Sequence, residues 1–222
     1  MIIYYSNEMT MYYPITIDVP LENAVNDLRK NYDIDYLKCP AGTDAFKNIY
    51  VIKSPFDIEY YYQGNELKIR NIPEHIKRFF YYESVLETQL THVRHLFFSE
   101  SPVNIITLPP FAHDSIINNY KYLPGTFDIS KWFRPVQCSF IDEEKKPLFI
   151  KRGQALQYVM FNTSEKVKLK PFETTEKIQQ YTEKCSRVKH FLPRKNLNFV
   201  YNLFVEKRLN KKIIREIKDN LI

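Results

Sequence analysis

The sequence predicts an α+β protein that is mainly β. An antiparallel β-sandwich or jelly-roll-like body is expected over residues 1–172, and a basic helical segment packed on that body over residues 173–222. Before Pro171 the chain consists of short runs rich in aromatic and β-branched residues, interrupted by eleven prolines. Beyond it, Pro193 is the single proline and apolar residues recur at helical spacing. Many short strands without alternating long helices favour antiparallel pairing over a parallel sheet.

Turn residues separate the strand candidates of the body. Gln63-Gly64-Asn65 predicts a hairpin, and the charged run 143–147 predicts another. One helix is expected over 21–30, where Pro20 can start the first turn and Leu21, Val25 and Leu28 share a face. The predicted strands are 1–5, 11–19, 46–52, 58–62, 66–70, 90–98, 103–108, 133–141, 148–151, 156–161 and 166–169.

The last fifty residues carry the whole net charge of +6. Residues 173–222 contain twelve Lys and Arg against six Asp and Glu, and the other 20 basic and 20 acidic residues cancel. Ile178 and Cys185 share one predicted helix face, Val200 and Phe204 a second, and Ile213 with its neighbours a third. Either a break near Leu209-Asn210 or one continuous helix fits this spacing.

The basic segment has two interpretations. Its cations form either an electrostatic footprint for nucleic acid or another acidic partner, or the solvated face of a helix whose apolar stripe packs on the body. Trp132 and Arg134 are weaker binding candidates, because large aromatic side chains usually fill the core. The candidate binding residues of the segment are Lys207, Arg208, Lys211, Lys212, Arg215 and Lys218.

Glycine and cysteine usage excludes several classes of protein. The four glycines lie at least 22 residues apart and each sits among turn-forming residues, so no phosphate-binding glycine loop exists. Cys39, Cys138 and Cys185 show no metal-ligand or disulfide spacing, so we expect no structural zinc and no secretion. The apolar runs are too short to cross a bilayer, so no membrane partner is expected. No cofactor is predicted, and the sequence makes no prediction of oligomeric state.

A metal-dependent oxygenase of the jelly-roll class is the enzymatic alternative. Its facial triad needs two histidines and a carboxylate, for which His113, Asp114 and His190 are the candidates. Adjacent His113 and Asp114 would project from opposite faces of a strand, which disfavours this site. No nucleophile elbow or reactive cysteine setting is found, and no catalytic residue is assigned.

Three stretches resemble blocks of an uncharacterised family of tailed-bacteriophage proteins that includes phages of marine bacteria. They are 39–57 (CPAGTDAFKNIYVIKSPFD), 124–135 (PGTFDISKWFRP) and 150–159 (IKRGQALQYV), together less than a fifth of the chain. The resemblance implies a phage-encoded protein of the host cytoplasm with a β-sandwich-like body. It implies no activity and no site residues, and the helical segment lies outside it.

The leading functional hypothesis is a non-enzymatic binding protein. It would engage a host or phage macromolecule, a host protein, another acidic molecule or nucleic acid, or build an assembly. The segregated charge and the missing catalytic motifs motivate this hypothesis. The alternatives are the metal-dependent oxygenase and a structural component of the virion.

Overall fold

The computed structural model describes residues 1–7, 21–64, 66–72, 74, 77, 82–83, 89–90, 94–141, 146–191 and 196–222. They form a mixed α+β protein with several antiparallel sheets and C-terminal helices, which confirms the predicted fold class. The helices are α1 (Ala24–Asn31), α2 (Pro40–Ala45), α3 (Glu176–Phe191), α4 (Leu197–Glu206) and α5 (Leu209–Asp219). The strands are β1 (Ile2–Asn7), β2 (Glu22–Asn23), β3 (Ile49–Lys53), β4 (Ile58–Gln63), β5 (Glu66–Arg70), β6 (Tyr82–Glu83), β7 (Gln89–Leu90), β8 (His95–Phe98), β9 (Asn104–Leu108), β10 (Lys121–Tyr122), β11 (Thr126–Asp128), β12 (Pro135–Val136), β13 (Phe140–Ile141), β14 (Leu148–Ile150), β15 (Ala155–Phe161) and β16 (Lys168–Pro171).

Strand β15 lies at the middle of an antiparallel sheet of order β11-β9-β15-β3-β2. Its nearly continuous apolar sequence is typical of a strand that is buried on both faces. Val159 and Phe161 enter the main core, whereas Tyr158 packs with Ala24 and Leu28 of α1. This sheet therefore separates the main core from a smaller cluster that holds α1 together with Leu37 and Phe46, which flank α2.

A second sheet, of order β12-β8-β1-β16, connects the body to the helical segment. Strand β1 pairs antiparallel with β8 and parallel with β16. Because successive side chains of a strand point to opposite faces, Ile3 and Phe97 enter the main core while Tyr4 and Phe98 face the helices. Both faces of this sheet are thus covered.

Helices α3, α4 and α5 form the other half of that second core. Buried Ile178, Phe204 and Ile217 pack in one cluster with Phe98 and Phe172 of the body. The chain end is also held by the backbone, since the Glu173 N–H donates to the Asn220 carbonyl at 2.9 Å and the Ile222 N–H to Pro171 at 3.2 Å. A division of the chain at 172/173 stays a prediction, but the helices share a core with the β body.

The two remaining sheets are smaller. One has the order β14-β4-β5 and contains the hairpin predicted at Gln63-Gly64-Asn65, in which Gln63 pairs with Glu66. The other has the order β10-β13-β7-β6. The hairpin predicted at 143–147 is wrong, because β13 and β14 belong to different sheets. The strand predicted over 11–19 lies outside the described residues.

Two further predictions for the body are wrong. The turn expected at Gly42 is instead helix α2, which has Pro40 in its first turn and is capped by the Cys39 thiol, the acceptor of the Gly42 N–H at 3.4 Å. Because this helix extends to Ala45, strand β3 starts at Ile49 and not at residue 46. Glycine is required at position 42 because a Cβ would lie 2.0 Å from the Tyr36 carbonyl oxygen. The strand predicted over 133–141 is interrupted, since β12 and β13 join different sheets.

The helical segment follows its predicted spacing, with one shifted break. The chain turns at Lys207 and Arg208, just before the expected position at Leu209-Asn210, and Arg208 adopts a left-handed conformation with φ 53°. That conformation interrupts the helical hydrogen bonding, because it reverses the local backbone twist. Helices α4 and α5 are therefore separate elements.

Candidate functional site

Four polar side chains meet below the surface where α1, β3, β15 and the loop after β9 come together. Lys53 forms an ion pair with Asp27 Oδ1. His113 Nε2 lies 2.7 Å from Asp27 Oδ2, and the Tyr158 hydroxyl lies 2.5 Å from His113 Nδ1. The side chains of Asp27 and His113 are only 3% and 8% exposed. We refer to these four residues as the Asp27 cluster.

Helix α1 places Asp27 on its buried face. The Asn23 side chain caps the helix by accepting from the Val25 N–H at 3.1 Å. Residues three and four apart share a helix face, so both Asp27 and Leu28 lie beside Ala24, and all three are buried. A carboxylate in the first turn also meets the positive end of the helix dipole.

The hydrogen bonds determine the tautomer of His113. An ionised Asp27 can only accept, so Nε2 carries the proton and donates it to Asp27. Nδ1 then accepts from the Tyr158 hydroxyl, which in turn accepts from the Ala112 N–H at 3.3 Å. Every polar atom of the His113 ring and the Tyr158 hydroxyl therefore has a partner.

The protonation states follow from burial and pairing. Burial alone raises the pKa of Asp27, but hydrogen bonds from Lys53 and His113 outweigh it and hold that pKa below its usual value. Burial lowers the pKa of His113 more than neighbouring Asp27 raises it. Burial also disfavours the charged form of Tyr158, and it therefore raises the pKa of that hydroxyl. Near neutral pH the cluster thus holds one carboxylate, one ammonium group and two neutral rings.

These shifts predict that acid weakens the fold in two steps. Because the pKa of His113 is lower in the folded chain, its stabilisation is complete above about 6.5, the unfolded value, and declines as the pH falls towards the folded value. The lowered pKa of Asp27 adds a second loss below about 3.9. Urea unfolding at pH 8, 6.5 and 5 measures the first step, and unfolding at about pH 4 and pH 3 measures the second.

The variant His113→Gln is the control for this pH dependence. It removes the titrating ring, so the free energy of unfolding of the variant should fall less than that of the wild type between pH 8 and pH 5. Equal slopes for the two proteins over that range would contradict the protonation states assigned to the cluster.

The Asp27 cluster is a buried network that joins helix α1 to the central sheet. None of its four residues lines either of the two cavities described below. Tyr158 is fully buried against the rings of Phe46 and Phe111. The buried ion pair with its complete set of hydrogen bonds holds α1 on the central sheet.

The structure does not bring the metal candidates together among the described side chains. Both ring nitrogens of His113 are engaged in the Asp27 cluster, and the adjacent Asp114 is exposed. His190 belongs to α3, but its side chain lies outside the description. Among the residues that are described, no group of three or more His, Cys, Asp or Glu side chains is arranged to hold a metal ion.

The predicted binding residues of the helical segment form one exposed group. Lys218 forms a 2.8 Å ion pair with Glu100. In the described part of the chain, the other five cations pair with no carboxylate. We call the whole group the basic surface; it consists of Lys207, Arg208, Lys211, Lys212, Arg215 and Lys218, all exposed.

Helix α5 explains this arrangement. Ile213 and Ile217, four residues apart, are buried against the body. Lys211 and Arg215 fall on the opposite side of the same helix and are directed to solvent. The turn at Lys207 and Arg208 adds two cations next to the start of α5.

A small apolar cavity adjoins the basic surface. It has a volume of about 120 Å³ and lies between Trp132 and helices α3, α4 and α5, and we call it the tail cavity. Buried Val200, Phe204 and Ile213 form part of its wall, and exposed Lys207 of the basic surface lines it as well. Burial raises the pKa of the lining Cys185 thiol to about 12, so the thiol is uncharged.

Trp132 and Arg134 line a second, more polar cavity of about 230 Å³. The Arg134 guanidinium lies 5.4 Å from the centre of the Trp132 ring, within the range of a cation–π contact. The edge of the Trp132 ring also meets Tyr201 of α4, with the ring centres 5.1 Å apart. Trp132 therefore contributes to both cavities, and its side chain is buried rather than presented as an open stacking surface.

The Asp27 cluster and the tail cavity were not predicted from the sequence. A signal for Asp27 was present, because its position places a carboxylate among Ala24, Val25 and Leu28 on the apolar face of a predicted helix. Lys53 and Tyr158 come from distant strands and had no such local signal.

No family model, no curated protein and no solved structure matches the chain. In the part of the chain that the structure describes, none of the helices combines the length and the hydropathy needed to span a membrane.

Proposed function

We propose that the protein binds an anionic macromolecule through its basic surface. The observation that carries this proposal is the set of five exposed cations, from Lys207 to Arg215, without a described carboxylate partner. On most protein surfaces both signs of charge are interspersed, and each cation then has neighbouring anions. A patch in which cations predominate instead raises the local concentration of polyanions and speeds their association.

The positions of the cations support the proposal further. Lys211 and Arg215 stand four residues apart on α5, where like charges destabilise a helix by a few tenths of a kcal/mol. An anionic partner would turn this repulsion into attraction. Because Ile213 and Ile217 hold α5 on the body, the cations are presented on a fixed support and a partner need not order the helix first.

Reversing two charges should weaken binding by at least about tenfold. The variant Lys211→Glu/Arg215→Glu removes two attractive contacts and adds two repulsive ones, each worth about 0.5 kcal/mol at an exposed position. Affinity would be measured with a polyglutamate 20-mer and with a single-stranded oligonucleotide, each between 50 and 300 mM salt. The logarithm of the wild-type affinity should fall linearly with the logarithm of the salt concentration, and the variant should show a shallower slope.

The matched control is Lys151→Glu/Lys166→Glu. It changes the net charge by the same amount at two exposed positions of the body that lie outside the basic surface. Its affinity should stay within about threefold of the wild type, because screened charges act mainly on a nearby ligand. Wild-type binding to neither polyanion, or equal losses in both double variants, would contradict the proposal.

The other expectations from the sequence stay predictions. Phage origin, action in the host cytoplasm and a role as a virion component are not tested by any contact in the structure. No contact of the described residues favours the metal-dependent oxygenase, since His113 is engaged in the Asp27 cluster.

A further inference from the structure

The tail cavity has the size of one apolar side chain. Its volume of about 120 Å³ is close to that of apolar protein cavities, about 150 Å³, that take up a benzene molecule. Trp132, Cys185, Val200, Phe204 and Ile213 of its wall are each less than 5% exposed. Such a lining offers water few hydrogen bonds, so the cavity favours a hydrocarbon group over solvent.

Two cations stand among the lining residues. Lys184 on α3 and Lys207 after α4 are exposed, and neither pairs with a described carboxylate. The Lys184 ammonium lies 5.9 Å from the centre of the Tyr181 ring, which also lines the cavity. Lysine keeps its ammonium group in water while its aliphatic stem covers apolar surface. A ligand that fills the cavity therefore meets positive charge beside it.

We infer that the partner is an acidic protein segment that inserts one leucine-sized or phenylalanine-sized side chain into the tail cavity. This inference rests on the proposed function, because Lys207 belongs to both the cavity and the basic surface. At protein interfaces a buried apolar side chain in a pocket usually contributes most of the binding energy, and polar or charged contacts surround it. The carboxylates of the segment are complementary to Lys184, Lys207 and the adjoining cations.

Nucleic acid fits this cavity less well. The edges of a nucleobase carry several donors and acceptors, and burying them without partners costs more than stacking returns. Apart from the two lysines, the lining side chains are aliphatic, aromatic or the uncharged Cys185 thiol. An aliphatic or phenyl side chain leaves no polar group unsatisfied there.

The test compares synthetic peptides of equal charge on the wild-type full-length protein. Each peptide carries four glutamates on either side of one central residue, which is leucine, isoleucine, phenylalanine or serine. At least one apolar peptide should bind about tenfold or more tightly than the serine peptide, as expected from burial of about two to four carbon groups. The comparison requires no variant and does not depend on the folding of a mutant.

A cavity-blocking variant locates the effect. Leu203 is half-buried and lines the cavity, so Leu203→Trp should remove the preference for apolar peptides while leaving the affinity for the serine peptide within about twofold. Val200→Phe is the second blocking variant, used if Leu203→Trp does not fold, as judged by circular dichroism. Lys211→Glu/Arg215→Glu should lower the affinity of all four peptides by a similar factor.

The outcomes separate this inference from the proposed function. Equal, salt-sensitive binding of all four peptides would overturn the apolar anchor and leave the proposed function standing. An apolar preference that survives both blocking variants would also overturn the anchor site. Preferential binding of an oligonucleotide of equal charge over every peptide would overturn the choice of a protein partner. No binding of any peptide or oligonucleotide at 50 mM salt would overturn the proposed function itself.

Discussion

Replacing Asp27 by alanine should lower the free energy of unfolding by about 3–5 kcal/mol, the cost of removing one partner from a buried ion pair. The substitution leaves the Lys53 ammonium group without its carboxylate and the His113 Nε2–H without an acceptor. Both groups lie largely away from water, so solvent replaces neither interaction fully. Urea unfolding at pH 7.5, followed by circular dichroism, measures the change.

A double-variant cycle shows whether the loss comes from the orphaned charge. In Asp27→Ala/Lys53→Met the unpaired ammonium group is absent, so the double variant should be at least about 1 kcal/mol more stable than additivity of the single losses predicts. Strict additivity, or a loss below about 1 kcal/mol for Asp27→Ala, would contradict the buried pairing.

Replacing Ile217 by alanine should lower the free energy of unfolding by about 2–5 kcal/mol, the usual range for a fully buried isoleucine. Ile217 is 0% exposed and packs in one cluster with Phe98 and Phe172 of the body. Its truncation leaves a cavity between α5 and the sheet that rigid neighbours fill only in part. Thermal and urea unfolding both report the loss.

The matched control on the same helix is Ile214→Ala. Ile214 is only half-buried at the edge of the same cluster, so its truncation should cost clearly less, about 1 kcal/mol. If Ile217→Ala left stability unchanged, or cost no more than Ile214→Ala, α5 would not be docked on the body in solution. The fixed support assigned to the basic surface would then be lost.

Helical periodicity was the most informative sequence signal. Ile178 and Cys185 stand two helical turns apart and Ile213 and Ile217 one turn apart, and the structure buries all four in one cluster with the body. Any helix that packs one face on a core shows apolar residues at helical spacing, whatever element it packs against. The pattern therefore predicts which face of the helix is buried, but not which part of the protein covers that face. The partner sheet, with β1 parallel to β16, joins residues more than 160 positions apart and leaves no local signature.

Local turn chemistry was less reliable. Gly64 and Gly153 do adopt positive φ, of 62° and 81°, as their turn assignments require. Gly42 looks the same in sequence, but it lies in α2 and is needed for the close approach to Tyr36. A glycine signals either backbone freedom or a missing side chain, and tertiary packing decides which applies.

The candidate site was predictable only where charge accumulates along the chain. The cations of the basic surface are neighbours in sequence, so their segregation was visible before the fold was known. The tail cavity joins Trp132 of the body to Lys184 and Phe204 of two helices, and the Asp27 cluster joins four separate elements. Such sites depend on contacts between residues that are far apart in the sequence, and local residue spacing does not predict those contacts.

Chemical-shift mapping can locate the binding site on the protein and so decide whether it is the basic surface. Backbone amide spectra of the full-length protein would be recorded during titration with the apolar acidic peptide that binds most tightly, at 50 mM salt. The largest shifts should fall in residues 207–218 and around the tail cavity, and they should vanish at 500 mM salt. Shifts centred elsewhere on the β body, with 207–218 unchanged at saturation, would contradict this prediction.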